Sequence, residues 1–180
     1  MKSHLLKRII ICICIALLFI CIAVGSLRLS AYKKAQAQLD EMNTAFFYAC
    51  LHAAQTSGVL EFSEFIPAEW DKMYVFGAYT TKEEKFAAAG CEYNPAISSG
   101  ISESLISILF MHGDDVVYYI EFYPWHIQPP YSICLVIDKE FDGAVFTPSD
   151  RPRLVLSDHK LPADRQTADE TVRFTLMAGN

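Results

Sequence analysis

Ile9-Ile10-Ile11-Cys12-Ile13-Cys14-Ile15-Ala16-Leu17-Leu18-Phe19-Ile20-Cys21-Ile22-Ala23-Val24-Gly25-Ser26-Leu27 runs for nineteen residues with no charge, no proline and one glycine. As an α-helix it is about 28 Å long, against a bilayer hydrocarbon core of about 30 Å. Isoleucine disfavours helix in water, but a lone strand in lipid cannot satisfy its backbone, so the solvent imposes the helix. Residues 1–8 are then a short basic head, and everything past Arg28 lies on one side of a membrane. Lys2, Lys7 and Arg8 precede the run while Arg28, Lys33 and Lys34 follow it, so flanking charge alone leaves the orientation ambiguous. A short basic head before an apolar run reads as a signal anchor. That predicts a cytoplasmic N-terminus and an extracytoplasmic C-terminal domain at the plasma (inner) membrane. Ala23-Val24-Gly25 also has signal-peptidase spacing, with cleavage before Ser26; the length of the run and the helical sequence after it favour retention. Bulky Ile20 before Cys21 argues against a lipobox. Cys12, Cys14 and Cys21 read as small apolar side chains facing lipid or a partner helix.

About 150 residues remain beyond the anchor, one domain's worth. All 21 acidic residues but only eleven of the 15 basic ones follow Arg28, giving that part a formal charge of −10. Such a surface argues against nucleic acid and against lying flat on anionic lipid. Cys50, Cys91 and Cys134 are odd in number and match no zinc spacing. Three buried thiols, or one disulfide and a free thiol, both fit.

Residues 28–57 predict one helix, a polar stalk followed by an apolar stripe of Leu39, Met42, Phe46, Ala49 or Cys50, and Ala53, stopped by Gly58. Residues 58–180 continue as an α+β domain. Residues 73–79 read as a strand, and Thr81-Lys82-Glu83-Glu84 is a capping box that starts a short helix over 82–89, ended by Gly90. Residues 104–111 and 116–123 form strands joined by a hairpin turn at His112-Gly113-Asp114-Asp115. A proline-bounded loop is expected over 124–130, then strands over 132–137, 144–147, 154–156 and 172–177, with loop between 157 and 170. The fold class is α+β: an N-terminal transmembrane helix, then a long amphipathic helix packed on a mainly antiparallel sheet.

Trp70-Asp71-Lys72-Met73-Tyr74-Val75-Phe76-Gly77-Ala78-Tyr79-Thr80 resembles a motif of an uncharacterised family of small bacterial membrane-anchored proteins and lipoproteins. There, Trp-Asp-Lys-x-Tyr-x-Phe-x-Pro-Tyr-Thr precedes a short helix. The resemblance covers about a tenth of the chain. Here Ala78 replaces the proline and no lipobox is present. The resemblance implies a bacterial, extracytoplasmic setting and carries over no activity.

Candidate contact residues are Trp70, Asp71, Trp125, His126 and Tyr131. Trp70 with Asp71 can anchor a partner or plug the sheet's end and cap a turn. Trp125, His126 and Tyr131, set among Pro124, Pro129 and Pro130, can present rigid aromatic area or tuck into the core. His112, Asp114 and Asp115 could hold a hard cation, although tight turns use the same residues for backbone reasons. Cys50 and His52 diverge on their helix. No hydrolase, phosphate-loop or dinucleotide signature occurs. The sequence therefore predicts no catalytic residue, no metal and no cofactor. It predicts a bilayer contact through residues 9–27 and a protein partner, with no nucleic acid. The expected function is a membrane-anchored binding or accessory protein, immunity- or inhibitor-like. The alternatives are a cysteine- or metal-dependent hydrolase at the membrane surface, and a structural subunit assembling through its transmembrane helix.

Overall fold

The structure, a computed structural model, describes residues 2–91, 105–122, 125–128, 131–137, 141, 143–157 and 170–178. For 2–12, 122, 125–128, 131–132 and 170–171 only the backbone is described. The chain forms two compact units, Met1–Ala37 and Gln38–Asn180, and helix α1 (Lys2–Gln55) contributes to both.

Over residues 13–27 of the first unit α1 is apolar on every side. Leu17, Leu18, Phe19 and Ile20, consecutive positions that step around most of the helix, are all more than half exposed. Its most apolar stretch has a mean hydropathy of 2.3 and is not buried among the described residues. A helix apolar all round needs an apolar surrounding, and this one is long and apolar enough to cross a membrane. Ser26 returns its hydroxyl to the Ala23 carbonyl at 2.8 Å, so its one polar side-chain group is satisfied within the helix, as lipid requires.

Among the described residues the second unit holds two sheets. One has the order β4-β3-β2-β7, built from β2 (Lys72–Phe76), β3 (Ile106–His112), β4 (Asp115–Phe122) and β7 (Val145–Phe146), antiparallel throughout. The other has the order β1-β8-β9-β6-β5, built from β1 (Val59–Glu61), β5 (Trp125–Gln128), β6 (Tyr131–Val136), β8 (Arg153–Leu156) and β9 (Glu170–Met177). The β6–β9 pair is parallel and the rest of that sheet antiparallel. The expected long helix and mainly antiparallel strands are present, with the strands divided between two sheets. Trp125–Gln128, expected as loop, is strand: it pairs with β6 from Trp125↔Cys134 to Gln128↔Tyr131. As an edge strand it tolerates the prolines that bound it in the sequence.

The C-terminal turns of α1 supply Phe46, Phe47, Cys50, Leu51 and Ala53 to the main core. Met73, Val75, Ile108, Phe110, Tyr118 and Ile120 meet them from one sheet, and Ile133, Leu135, Leu154, Phe174 and Leu176 from the other. On the opposite face of the four-stranded sheet, Tyr74, Phe76, Leu109, Met111 and Tyr119 pack with Leu39 of α1 and with Phe86 and Ala89 of α3 (Lys82–Ala89). That sheet is buried on both faces, which is why β3 reads as continuous Ile-Ser-Ile-Leu-Phe-Met without polar alternation. At the outer edge of β4, Asn43 Oδ1 accepts the Glu121 amide at 3.0 Å and Tyr118 donates its hydroxyl to the Met42 carbonyl at 3.3 Å. The helix thus gives the edge amide the acceptor it otherwise lacks.

Two ends are set by backbone chemistry. Gly58 (φ +69°) closes α1, donating to the Ala53 carbonyl at 2.7 Å and accepting from the Leu156 amide at 2.7 Å. At α3 the capping box is complete and Gly90 takes the left-handed cap. Strand β2 stops at Phe76, short of the expected Tyr79. Residues 77–80 turn instead, Thr80 donating to the Gly77 carbonyl at 3.1 Å, while exposed Tyr79 sits at φ +69°. A bulky side chain in that region costs on the order of 1 kcal/mol.

Gly58→Ala is expected to lower stability by about 1 kcal/mol or more in urea unfolding, because the strain comes from φ while the added Cβ would meet Leu156 only at 3.5 Å. Hydrogen bonds from the Thr81 backbone and side chain hold Glu84 below the ordinary glutamate range. Its contribution to the cap is therefore complete above that range and fades as pH falls through the depressed value. Thr81→Ala should cost about 1 kcal/mol at neutral pH, and should flatten this acid-side slope in melts taken between pH 3 and 6.

Candidate functional site

The strand β2 is entered through an extended segment that follows α2 (Phe62–Phe65). Asp71 donates its amide to the Met111 carbonyl at 2.8 Å, which prolongs the β2–β3 ladder by one bond. Its Oδ2 accepts the Gly113 amide at 2.7 Å across the hairpin turn, where Gly113 stands at φ +59°. One carboxylate therefore ties the β3–β4 turn to the start of β2. Trp70, 8% exposed, sets its indole edge-on to Phe110 with centroids 5.4 Å apart. His112 is exposed at the end of β3, paired with Asp115.

These three residues border an open cleft of about 520 Å³. Ser63 and Ile66 line it from α2 and the chain just beyond, Pro67 to Glu69 from the segment before β2, and Pro148 from the 3-10 turn Pro148–Asp150. Ile66 and Trp70 are buried; Glu69, His112 and Pro148 are exposed. The lining carries two carboxylates and a histidine but neither lysine nor arginine. The second oxygen of Asp71, Oδ1, is shielded from solvent and has no hydrogen-bond partner, a state that costs a carboxylate about 1–3 kcal/mol or more. The structure thus brings Trp70, Asp71 and His112 together. Trp125 and His126 lie on β5 and Tyr131 on β6, the two end strands of one side of the five-stranded sheet; their side chains lie outside the described residues.

A second cluster was not legible in the sequence. Under α3, Lys85 Nζ donates to Ser107 Oγ at 2.8 Å and lies 3.3 Å from Glu121 Oε1. Ser107 donates to the same Glu121 oxygen at 3.3 Å, and the Tyr119 hydroxyl donates to it at 2.8 Å. Lys85, Ser107, Tyr119 and Glu121 are all buried. A serine hydroxyl 2.8 Å from a lysine amine has the spacing of a nucleophile and its base. Here, however, the amine is ion-paired and Ser107 has no exposed surface, so no substrate carbonyl reaches it. The arrangement works as a satisfied polar network that fixes α3 to the sheet.

The surroundings of Cys50 and Cys91 disfavour a thiolate. Among the described residues Cys50 and Cys91 form no disulfide, and Cys134 is buried. Burial pushes the Cys50 thiol far up. Burial also raises Cys91, with the charge of Asp114 adding to the effect. Both shifts oppose the thiolate a nucleophile requires. Among the described residues no group of three or more His, Cys, Asp or Glu side chains is arranged to hold a metal ion.

Lys85→Met should lower stability by about 3–5 kcal/mol, since it strands a buried carboxylate. Adding Glu121→Gln, which keeps acceptors for Ser107 and Tyr119, should recover at least half of the loss in urea unfolding of the full chain. Comparison with protein-family models, with curated proteins and with solved structures finds no match to the chain.

Proposed function

We propose that this chain is a membrane-anchored extracytoplasmic binding or accessory protein, immunity- or inhibitor-like in character, whose contact site is the cleft at Trp70, Asp71 and His112. The observation that carries the reading is the convergence of an aromatic floor, two carboxylates and a histidine in one open concavity, on a domain that follows an exposed apolar helix. Aromatic residues in concave, partly desolvated settings are where binding energy concentrates. The raised thiols of Cys50 and Cys91 weigh against a cysteine hydrolase. The short basic head favours a cytoplasmic N-terminus, and the resemblance at Trp70–Thr80 points to the same bacterial, extracytoplasmic setting.

Two measurements on intact cells test the reading. Single engineered cysteines at Ser149 and Ser3, in a cysteine-free background, are exposed to a membrane-impermeant maleimide. A photo-cross-linking residue is placed at Ser63 in the cleft or at Tyr79, beyond the far end of β2. Labelling at Ser149 but not Ser3, with a discrete adduct from Ser63 and none from Tyr79, is the expected pattern. Protection of Ser149 until lysis would overturn the extracytoplasmic placement. Absence of any Ser63-dependent adduct would overturn the contact site.

A further inference from the structure

We propose that the cleft receives a cationic side chain, a lysine or arginine carried on a partner protein. The inference rests on the binding reading above and names the chemistry of its ligand. Three observations support it. Glu69 and Asp71 put two carboxylates at the cleft with no lysine or arginine among its lining residues. Asp71 is locked in place by the Gly113 amide on one oxygen, while the other has no partner. Its position is thus fixed, its free oxygen is shielded from solvent, and its charge meets no lysine or arginine among the described lining residues. The chain beyond Arg28 carries a formal charge of −10, which attracts a cation from a distance and raises the encounter rate.

The apolar part of the cleft fits the same ligand. Ile66, Pro67, Trp70 and Pro148 offer a hydrophobic path for the methylene stem of a long basic residue, which leaves its charged head for the carboxylates. The cleft is open, whereas sites for free small molecules enclose most of their ligand. A protruding side chain, held from behind by its own protein, needs no such enclosure. A bare divalent ion suits the site less well, because the described residues offer no cluster of three metal-ligating side chains.

The test uses the full chain in neutral maltoside micelles with 5-fluorotryptophan incorporated. The Trp70 resonance is assigned by its loss in Trp70→Phe. The probes are n-butylguanidinium and its uncharged isostere n-butylurea. The expected result is a saturable shift of the Trp70 signal with butylguanidinium and none with butylurea. The apparent affinity should fall about threefold in Glu69→Gln and fall again as salt is raised from 50 to 300 mM. Asp71→Asn, which keeps an acceptor for the Gly113 amide, should weaken it at least as much. An equal response to butylurea, or affinity unchanged by both Glu69→Gln and salt, would overturn the proposal. A Ser63 cross-link without any guanidinium response would remove the cationic ligand and leave the binding reading standing. Loss of both signals would remove both.

Discussion

A sheet covered on both faces has no surface on which to leave a charge, so Lys85 and Glu121 are tolerable only because they meet. Each would cost several kcal/mol if buried alone. Together they join three parts of the domain: Lys85 belongs to α3, Ser107 to β3, and Tyr119 and Glu121 to β4. The backbone of Glu121 brings in a fourth, through its amide bond to Asn43 of α1. Apolar contact at Phe86 and Ala89 would allow an eight-residue helix to slide along the sheet. A directional ion pair with a shared serine does not, and it is this network that selects one seating for α3.

Asp71 does comparable work at the other end of β2. Its amide extends the ladder while its carboxylate caps the neighbouring hairpin, so the segment bearing Trp70 is fixed at two points. The same fixation leaves a carboxylate at the border of the cleft. Structural and contact roles at Trp70 and Asp71 are therefore not alternatives: the residues that brace the sheet's end are those that shape the concavity.

Features written in local chemistry were readable from the sequence. Thr81 and Glu84 are three residues apart, so their reciprocal cap could be read directly, and α3 spans the expected residues. The glycine in His112-Gly113 marked the hairpin that joins β3 to β4. What depended on distant partners was not readable. Lys85 lies 22 residues from Ser107 and 36 from Glu121, and nothing near it in sequence separates a buried lysine from a solvated one. Strand β5 was hidden for a related reason. Four residues between prolines look like loop until β6 supplies their hydrogen bonds. Of the cleft, Trp70 and Asp71 stood out by composition, but their meeting with His112 and Pro148 follows from sheet register alone.

The two hydrogen bonds that join α1 to β4 would matter most for a chain held at a bilayer. Proteins tethered to a membrane diffuse in two dimensions and collide sideways far more often than free ones, and an open strand edge is the surface on which such collisions turn into cross-chain ladders. In the four-stranded sheet Asn43 of α1 takes one edge amide of β4, that of Glu121, and the opposite border is β7, two residues long. A strand as short as β7 offers little register to a neighbour, and the engaged Glu121 amide interrupts the open row on β4. The helix that gives the core its aromatic residues also takes a donor from the sheet's edge.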